Sequence, residues 1–483
     1  MPHSDLKQSN LKFQSYTENR KKHWDQISTQ TQLTSIFSQY YHKHLNQVYQ
    51  KQIPAGLRLL EIGCGEGDLL AALNPASGVG IDFSEAMIEK AACKYPHLIF
   101  QCADAHDLST INGTFDVIIL SDLLNELWDI QMVLKELSTL CTSRTRIFMN
   151  FYSRVWQLPF MVSKKLHWSR PMLSQNWLTK GDVTNLLALE NFDIIRAWEE
   201  FLFPIPIIGV KDFFNRFLIR IWPFYLFACA NMLVARPRLQ PEISSPKVSV
   251  IVPARNEAGN INAIFERVPE MGAGTELVFI EGGSKDDTFA KIEQGIQAHP
   301  QRRCILQKQI GVGKGQAVRQ GFSIASGDIL MILDADLTVP PENLPLFCEA
   351  LVTGKGDFIN GVRLVYPMEK EAMRFFNFLG NKFFSLAFSW LLGQPIKDTL
   401  CGTKVLWRKD YEQIASNRSY FGDFDPFGDF DLIFGAARLN LKLVDLPIRY
   451  QERTYGETNI SRWKHGWLLL RMVIFAASKI KFS

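Results

Sequence analysis

Short runs of apolar residues alternate along this chain with longer segments in which apolar positions recur at helical spacing. The alternation extends from about Arg58 to Ala235 and begins again at Val248 with the run VSVIVPA. Strands that alternate with helices are typical of parallel or mostly parallel sheets covered by helices. The pattern therefore predicts two α/β domains in series, with ligand sites at the carboxyl ends of their strands.

The segment between the two patterns, RPRLQPEISSPK, is rich in proline and serine, which predicts an interdomain linker. A chain of 483 residues is also too long for one hydrophobic core. No internal repeat relates the halves, so we expect a fusion of two different modules. The predicted bounds are a flexible N-terminal segment at 1–22, a first domain at 23–236, a linker at 237–247, a second domain at 248–450 and an amphipathic C-terminal segment at 451–483.

Composition and charge exclude several classes of protein. The formal net charge is only +4, and the chain has no long basic run that would follow a phosphate backbone, so we expect no nucleic-acid partner. The eight cysteines are scattered singly, which favours a reducing compartment. The first residues lack the apolar core of a signal peptide, and no uncharged stretch reaches the roughly 20 residues that cross a bilayer. We therefore expect a cytoplasmic protein.

In the N-terminal half, a predicted strand leads into a glycine turn and then a helix, LRLLEIGCGEGDLLAAL. Gly63 and Gly65 leave room for a ligand at the helix N-terminus. A dinucleotide-binding domain has a similar turn, so the turn alone is weak evidence. Acidic residues near the ends of three successive predicted strands, Glu61, Asp82 and Asp104, favour a cationic, hydroxyl-rich ligand over a pyrophosphate.

The motifs LEIGCGEG, GIDFSEAM, CADAHDL and FDVIILSDLLNEL, in this order, resemble the class I S-adenosylmethionine-dependent methyltransferases over residues 20–236. The resemblance implies a Rossmann-like sheet with S-adenosyl-L-methionine as cofactor. A bare turn at Gly63 to Gly67 and a helix cap at Asp104 are the structural alternatives. Carried over by motif, the cofactor-binding residues are Gly63 and Gly65 in the turn, Glu61 facing the methionine ammonium, Asp82 the ribose, Asp104 and Ala105 the adenine, and Ser121 on the pocket floor.

Methyl transfer needs an aligned acceptor and often a base. Four polar residues are candidates, although none is marked as a base by its spacing: His106, Asp122, Asn125 and Glu126. The acceptor pocket is expected within Phe151–Val210, where core packing is the alternative explanation for the aromatic residues. The methyl acceptor stays open.

In the C-terminal half, the first two predicted strands end in VPARNE and FIEGGS, and the third ends in an Asp334-Ala335-Asp336 turn. Two carboxylates so close would repel each other if simply buried. A divalent cation removes that repulsion, and hard oxygen ligands suit Mg²⁺ or Mn²⁺, which can also grip a diphosphate leaving group. The turn therefore predicts a metal site.

These motifs, with GKGQAVRQGF, DTLCGTKVLW, FGDFDL and RTYGETN, resemble the family-2 glycosyltransferases, and among them the dolichyl-phosphate mannose synthase-like group, from Val248 to about Trp467. The resemblance implies a GT-A fold and transfer of a sugar from a nucleotide diphosphate sugar to a polyprenyl phosphate. Its implied site residues are Pro253, Arg255, Glu257 and Glu281 for base and ribose, Lys314 along the nucleotide, Asp334 and Asp336 for the metal, Arg363, Lys404 and Arg453 for phosphates, and Asp429 and Asp431 in the late acidic motif.

Asp336, Asp429 and Asp431 are the expected catalytic residues. An acceptor that is already a phosphate needs no base, in which case Asp429 only positions it. Three residues depart from the usual pattern of the group: Gly282 stands where aspartate is common, Thr338 where glutamine is frequent, and Asn459 where a lysine is expected. The departure at Gly282 leaves the identity of the nucleotide open. The departures at Thr338 and Asn459 leave open whether the acceptor is a lipid phosphate.

Two further segments, 373–393 and 462–482, mix apolar and basic residues as expected for helices that lie on the inner face of a membrane. Buried domain helices are the alternative. The sequence as a whole predicts a bifunctional enzyme. Two alternatives stay open: a soluble or polysaccharide glycosyl acceptor, and an N-terminal half that binds S-adenosylmethionine without turnover.

Overall fold

Two compact units, Met1–Leu239 and Gln240–Ser483, make up the chain in a computed structural model. Each unit is built around its own sheet, so the two predicted α/β domains are confirmed. The finer bounds given above stay predictions. The structure describes residues 3–29, 36–165, 173–239, 243, 245–363, 375–418, 429–451, 453, 455 and 462–482.

The N-terminal unit contains a seven-stranded sheet in the order β3-β2-β1-β4-β5-β7-β6. The first five strands run parallel, whereas β7 is antiparallel to both β5 and β6. Its strands are β1 (Arg58–Ile62), β2 (Ser77–Asp82), β3 (Ile99–Cys102), β4 (Val117–Ser121), β5 (Arg146–Tyr152), β6 (Phe192–Glu200) and β7 (Ala230–Pro237).

The helices of this unit are α1 (His3–Thr29), α2 (Ile36–Gln52), α3 (Asp68–Ala72), α4 (Glu85–Lys94), α5 (Ile130–Ser138), α6 (Gln157–Lys165), α7 (Lys180–Leu189) and α8 (Val210–Asp212). Short 3₁₀ turns lie at Arg154–Trp156, Leu218–Arg220 and Phe224–Phe227, and a π turn at Phe213–Phe217.

Alternation along β4 explains the two cores of the N-terminal unit. Ile118 and Leu120 pack in one apolar cluster, and Val117 and Ile119 pack in the other. Successive side chains of a strand point to opposite faces, so a strand buried on both faces is apolar throughout. This is why β4 is a continuous apolar run. The strand ends at Ser121, its first polar residue, which is exposed enough to contact a ligand.

The C-terminal unit contains a second seven-stranded sheet, in the order β10-β9-β8-β11-β13-β12-β14. β13 is antiparallel to its neighbours β11 and β12, and the remaining pairs are parallel. Its strands are β8 (Val248–Ala254), β9 (Thr275–Glu281), β10 (Arg303–Lys308), β11 (Ile329–Ile332), β12 (Phe358–Val362), β13 (Lys404–Trp407) and β14 (Leu443–Pro447).

The helices of the C-terminal unit are α9 (Ile261–Arg267), α10 (Thr288–Ala298), α11 (Lys314–Ile324), α12 (Leu344–Val352), α13 (Phe375–Leu392), α14 (Arg408–Ser416), α15 (Asp429–Arg438) and α16 (Arg462–Ala476), with a 3₁₀ turn at Pro341–Asn343 and a π turn at Ala477–Lys481.

The two segments expected at a membrane are largely helical, in α13 and α16, although residues 373 and 374 lie outside the described part of the chain. In α13, Phe388 and Leu391 are buried in the core, while Leu386 and Trp390 are exposed. The helix therefore has one packed face and one exposed apolar face. Within the described residues, no helix has the length and apolar character needed to span a bilayer.

Candidate active sites

The glycine turn after β1 is tied to the end of β2 by one carboxylate. Gly65 has a left-handed φ of 52°, and nothing lies within 4 Å of the place where its Cβ would be. Asp82 Oδ2 accepts the Gly65 N–H at 3.0 Å, and Oδ1 accepts the Ser84 N–H at 2.9 Å. Burial raises the pKa of Asp82 above its usual value. The turn and the strand end thus form one rigid edge with open space beside Gly65.

Glu61, the fourth residue of β1, is buried beneath this edge. Burial raises the pKa of its carboxyl to about 8. Its Oε2 has no hydrogen-bond partner in the described part of the chain. This oxygen can therefore accept a further hydrogen bond from a bound molecule. The ammonium group of a bound amino acid moiety fits this position by hydrogen bonding, and by charge once the carboxyl has lost its proton.

Asp104, after β3, forms a small network with His106. Asp104 Oδ1 lies 2.7 Å from His106 Nδ1 and accepts the His106 N–H at 2.9 Å. His106 Nε2 accepts the Asp129 N–H at 3.2 Å, so Nδ1 carries the proton. Burial raises the pKa of Asp104, but the bonds from His106 outweigh it and the pKa lies below its usual value. Asp104 therefore stays a carboxylate, as an acceptor for an amino group must.

Ala105 and Ser121 complete the predicted cofactor set. Ala105 is partly buried against the core next to Asp104, and Ser121 is the last residue of β4. The structure thus brings the predicted residues to the carboxyl ends of β1, β2, β3 and β4, which lie side by side.

Helix α1 covers these strand ends, although the sequence predicted a flexible segment for residues 1–22. Asp25 accepts the Ser84 hydroxyl at 2.5 Å, Arg20 lies 3.1 Å from Glu126, and the ring of Phe13 packs on His106. These side chains come from different turns of one helix. Polar and aromatic contacts hold α1 in place. The helix lacks a continuous apolar stripe, so the hydrophobic pattern of the sequence does not predict it.

A buried network at the end of β4 surrounds Asp122, whose φ of 53° is left-handed. Its Oδ1 accepts hydrogen bonds from Tyr41 at 2.8 Å and from Asn150 Nδ2 at 2.5 Å. Tyr49 donates to Asn150 Oδ1 at 2.7 Å. Burial raises the pKa of Asp122. The partners Tyr41, Tyr49 and Asn150 were missed because they come from α2 and β5, far away in sequence.

The other candidate bases have structural partners. Asn125 donates to the Asn176 carbonyl at 2.6 Å and accepts the Tyr152 N–H at 2.9 Å. Glu126 is paired with Arg20 and accepts from Gln175. Both ring nitrogens of His106 are also engaged, as described above.

One aromatic ring fixes the spacing between the glycine turn and β2. A Cβ on Gly67 would come within 2.6 Å of Phe100 Cζ, and a Cβ on Gly80 within 2.8 Å of Phe100 Cδ1. Phe100 lies in β3. The ring occupies the volume that side chains at both glycines would need.

The two carboxylates that follow β11 in the C-terminal unit are each paired with a cation. Asp334 Oδ1 lies 2.5 Å from Lys314 Nζ, and Asp336 Oδ2 lies 2.7 Å from Arg453 Nη2. Burial raises the pKa of Asp334, but Lys314 and the more distant Lys404 and Arg363 outweigh it and hold the pKa below its usual value. Asp334 is therefore presented as a carboxylate.

Thr338, the departure from the usual glutamine, positions Asp336. Its hydroxyl and its N–H both donate to Asp336 Oδ1, at 2.8 and 3.2 Å. Asp336 Oδ1 is thus held by the turn itself while Oδ2 is held by Arg453, so the side chain has a single orientation.

Arg453 also joins Glu257 to the site, since its Nη1 lies 3.5 Å from Glu257 Oε1. Burial raises the pKa of Glu257, partly offset by Arg453. The second oxygen of Glu257 accepts from Asn260 Nδ2 at 2.8 Å. The guanidinium of Arg453, which follows β14, thus joins a carboxylate from the loop after β11 to one from the loop after β8.

The backbone at Gly402 lies against the pair formed by Asp334 and Lys314. A methyl group at this position would overlap both Asp334 Oδ2 and Lys314 Nζ. The sequence singled out the motif around Gly402 but not the reason for the glycine.

The other residues predicted for base and ribose lie at the ends of β8 and β9. Pro253 is the penultimate residue of β8, and Arg255 follows the strand and is exposed. Glu281, at the end of β9, is buried and accepts the Ser284 N–H at 2.6 Å. A Cβ on Gly282 would lie 3.0 Å from Gln309 Oε1, the movable end of a side chain, so this contact does not explain the departure from aspartate.

Two residues expected to face phosphates have internal partners. Arg363 forms a bidentate pair with Asp398, at 2.7 and 2.9 Å. Lys404 is fully buried and donates to the Cys401 carbonyl. In this structure both act on Asp334 through their charge and not as open phosphate ligands.

The late acidic motif is described only in part. Asp431 is buried and lies 2.8 Å from Arg418 and 3.8 Å from Arg319, so it is bound in an ion-pair cluster and not free to act as a base. Asp429 begins α15, but its side chain lies outside the described residues, as does the whole of Asn459.

The donor set at Asp334 and Asp336 fits a hard divalent cation. Within the described residues no group of three or more acidic, histidine or cysteine side chains could cage a metal. Mg²⁺ and similar ions are commonly held by one or two carboxylates together with substrate phosphates. Two oriented carboxylates are thus the protein ligands that such an ion would need.

Two family models agree with this division. A family model described as glycosyl transferase family 2 matches residues 249–414, and one described as methyltransferase domain matches residues 59–143. A magnesium protoporphyrin IX methyltransferase from Synechocystis PCC 6803, solved with bound SAH, is 18% identical, with 47% of this chain and 98% of that chain covered and a TM-score of 0.33.

Two curated relatives carry sugar-transferase names. The dolichol-phosphate mannosyltransferase of Pyrococcus furiosus is 30% identical over 218 residues, which is 44% of this chain and 59% of that protein. The undecaprenyl-phosphate 4-deoxy-4-formamido-L-arabinose transferase of Klebsiella pneumoniae is 25% identical, over 44% of this chain and 63% of that protein. This chain thus spans less than two thirds of either relative. The two resemblances predicted from the motifs are confirmed: the chain contains a methyltransferase domain in its N-terminal unit and a family-2 glycosyltransferase domain in its C-terminal unit.

Proposed function

We propose that the C-terminal unit transfers a sugar from a nucleotide diphosphate sugar to a polyprenyl phosphate, and that the N-terminal unit transfers a methyl group from S-adenosylmethionine. The observation that carries the first proposal is the pairing of Asp334 with Lys314 and of Asp336 with Arg453 at the end of β11. The polyprenyl phosphate acceptor is supported by the names of the two relatives.

The ion pairs suggest how the donor is received. The diphosphate brings negative charge that Lys314 and Arg453 can take up, because both extend from the edge of the site and are only partly buried. The aspartate oxygens that they release would then hold Mg²⁺ or Mn²⁺, which supplies neutralisation of the diphosphate leaving group. Thr338 keeps Asp336 oriented throughout, since its two hydrogen bonds do not involve Arg453.

A phosphate acceptor fits the surroundings of Asp431. A phosphate is already ionised near neutral pH and needs no general base. Asp431 is engaged with Arg418 and Arg319, so its role is positional. The exposed apolar face of α13 would bring the unit to the membrane, where a polyprenyl chain is held.

Donor turnover tests the glycosyltransferase proposal. The full chain is incubated with Mn²⁺, UDP-glucose or GDP-mannose, and undecaprenyl phosphate, and sugar transfer is measured in the organic phase. We expect Asp336→Asn to abolish transfer. Asp328→Asn, just before the opposite end of β11, is the matched control and should retain it. Equal turnover in both variants would contradict the metal site, and transfer found only in the aqueous phase would favour a soluble acceptor.

For the N-terminal unit, the cofactor proposal is supported by the unpaired Glu61 Oε2 and by the edge formed by Asp82 and Gly65. The engagement of Asn125, Glu126 and His106 favours an alternative in which the unit binds S-adenosylmethionine as a regulator. Two measurements distinguish a methyltransferase from a regulator. Calorimetry measures cofactor binding, and radiolabelled S-adenosylmethionine measures methyl transfer into lipid and aqueous cell extracts. Binding with no labelled product in either extract would support the regulator.

A further inference from the structure

A second exposed apolar surface lies in the N-terminal unit, outside the segments that the sequence assigned to a membrane. Between residues 205 and 227, eleven large apolar side chains are more than a third exposed. Ile208 is 90% exposed and Trp222 is 72% exposed. Soluble proteins rarely leave so many neighbouring apolar groups in water, and such patches mark interaction sites.

This segment is held by polar groups that point inward. Asn215 Oδ1 accepts the N–H groups of Leu202 and Phe203, both at 2.7 Å, and its amide donates to Tyr40 at 2.9 Å. Arg220 lies 2.6 Å from Glu200 Oε1. Polar residues therefore anchor the segment while eleven of its large apolar side chains are exposed, although Ile219 is buried.

A neighbouring segment extends the surface. The Trp156 indole N–H donates to the Phe227 carbonyl at 2.8 Å, which joins the turn before α6 to the segment described above. On α6, Leu158 is 70% exposed, and Met161 and Val162 are also exposed. We define the apolar surface as residues 155–165 and 205–227.

The charged residues within these two segments are mostly positive. Lys164 and Lys165 end α6, and Arg216 is exposed on the second segment. Residues 155–165 contain no acidic residue, and Asp212 is the one acidic residue in 205–227. Exposed tryptophan and phenylalanine flanked by cations are typical of surfaces that insert into anionic membranes. Each cation near such a surface strengthens binding roughly fivefold.

We propose that the apolar surface of the N-terminal unit binds an anionic lipid bilayer. Protruding side chains such as Ile208 and Trp222 suit a bilayer, which deforms around them, better than a protein partner, which would need a matching cavity. If the proposed methyl transfer is correct, its acceptor is then presented at the membrane. That consequence rests on the proposed function, whereas lipid binding does not.

Quenching by brominated lipids tests the surface locally. The full chain is mixed with vesicles of phosphatidylcholine and phosphatidylglycerol that carry brominated acyl chains, and tryptophan fluorescence is recorded. We expect Trp222→Phe to remove a distinct part of the quenching. Trp128→Phe, which changes a tryptophan packed against Tyr16 of α1, should leave the quenching unchanged. Identical quenching in the wild type and in Trp222→Phe would overturn the proposal.

Vesicle sedimentation gives a second, independent measurement. Burial of two large apolar side chains is lost in the double variant Ile208→Asp, Trp222→Asp, so partitioning onto anionic vesicles should fall by about tenfold or more. Leu11→Asp, at a similarly exposed position of α1, should not change it. A double variant that partitions normally, or one that instead dissociates a dimer in vesicle-free light scattering, would overturn lipid as the occupant. Neither outcome depends on methyl transfer, so failure here is distinguishable from failure of the proposed function.

Discussion

Arg453 Nη2 lies 2.7 Å from Asp336 Oδ2, and its Nη1 lies 3.5 Å from Glu257 Oε1. One guanidinium therefore neutralises a carboxylate proposed for the metal and another proposed for the nucleotide. Because an arginine stays charged at all accessible pH values, only a competing cation or anion can separate these groups. Donor and metal are thus expected to bind together.

Arg453→Gln separates the two roles of this residue. Without the guanidinium, Asp336 is available, so Mn²⁺ should bind more tightly in the absence of nucleotide. Sugar transfer should nevertheless fall about tenfold or more, because a charged hydrogen bond to the donor is lost. Mn²⁺ binding is measured by electron paramagnetic resonance and transfer by the assay above. The control is Arg267→Gln, which breaks an exposed ion pair with Glu342; a change of equal size there would contradict the assignment.

Gly402→Ala tests the contact between the backbone and the pair formed by Asp334 and Lys314. The added methyl group would displace both side chains, so we expect weaker Mn²⁺-dependent donor turnover with little loss of thermal stability. Gly380→Ala adds the same group in α13, where nothing lies within 4 Å, and should leave turnover unchanged. If both alanine variants transfer sugar normally, the close approach at Gly402 has no functional weight.

Binding of S-adenosylhomocysteine should depend on pH through Glu61. The pKa of this carboxyl is raised to about 8 by burial, so it is largely protonated at neutral pH and must lose its proton to pair with an ammonium. Affinity should therefore rise with pH, by up to about tenfold for each unit below pH 8. Calorimetry in two buffers of different protonation enthalpy would detect the released proton. In Glu61→Gln the slope should disappear; an unchanged slope would place the titration elsewhere.

Asp82→Ala should weaken binding of the same ligand by about 1 to 3 kcal/mol, since its carboxylate is expected to accept from the ribose and also holds Gly65. Asp82→Asn keeps one acceptor oxygen and should lose less. Asp107→Ala removes an exposed carboxylate that accepts from Ser109, and it serves as the control. Equal losses at positions 82 and 107 would remove Asp82 from the site.

Much of both sites could be predicted because strand ends are local features. Glu61, Asp82, Asp104, Asp334 and Asp336 lie near the ends of apolar runs, and parallel strands bring such ends to one edge. The order of the strands, by contrast, depends on crossovers that local periodicity does not encode. The antiparallel insertion of β13 between β11 and β12 has no signature in the apolar pattern.

The contacts made by side chains distant in sequence could not be predicted. The family resemblance implies that Arg363 and Lys404 face phosphates, but Asp398 and the Cys401 carbonyl lie close enough to engage them internally. The network of Tyr41 with Asp122 and the packing of α1 likewise join residues that are many positions apart. Charge and spacing indicate which chemistry is possible, and tertiary packing decides which residues are available for it.

The ring of Phe100 occupies space that both Gly67 and Gly80 would need for a side chain. Three positions on three different segments therefore share one volume and cannot vary independently. Among homologues, we expect a larger residue at 67 or 80 only where residue 100 has become smaller. The glycine turn after β1 would then evolve together with residue 100, which lies on the separate strand β3.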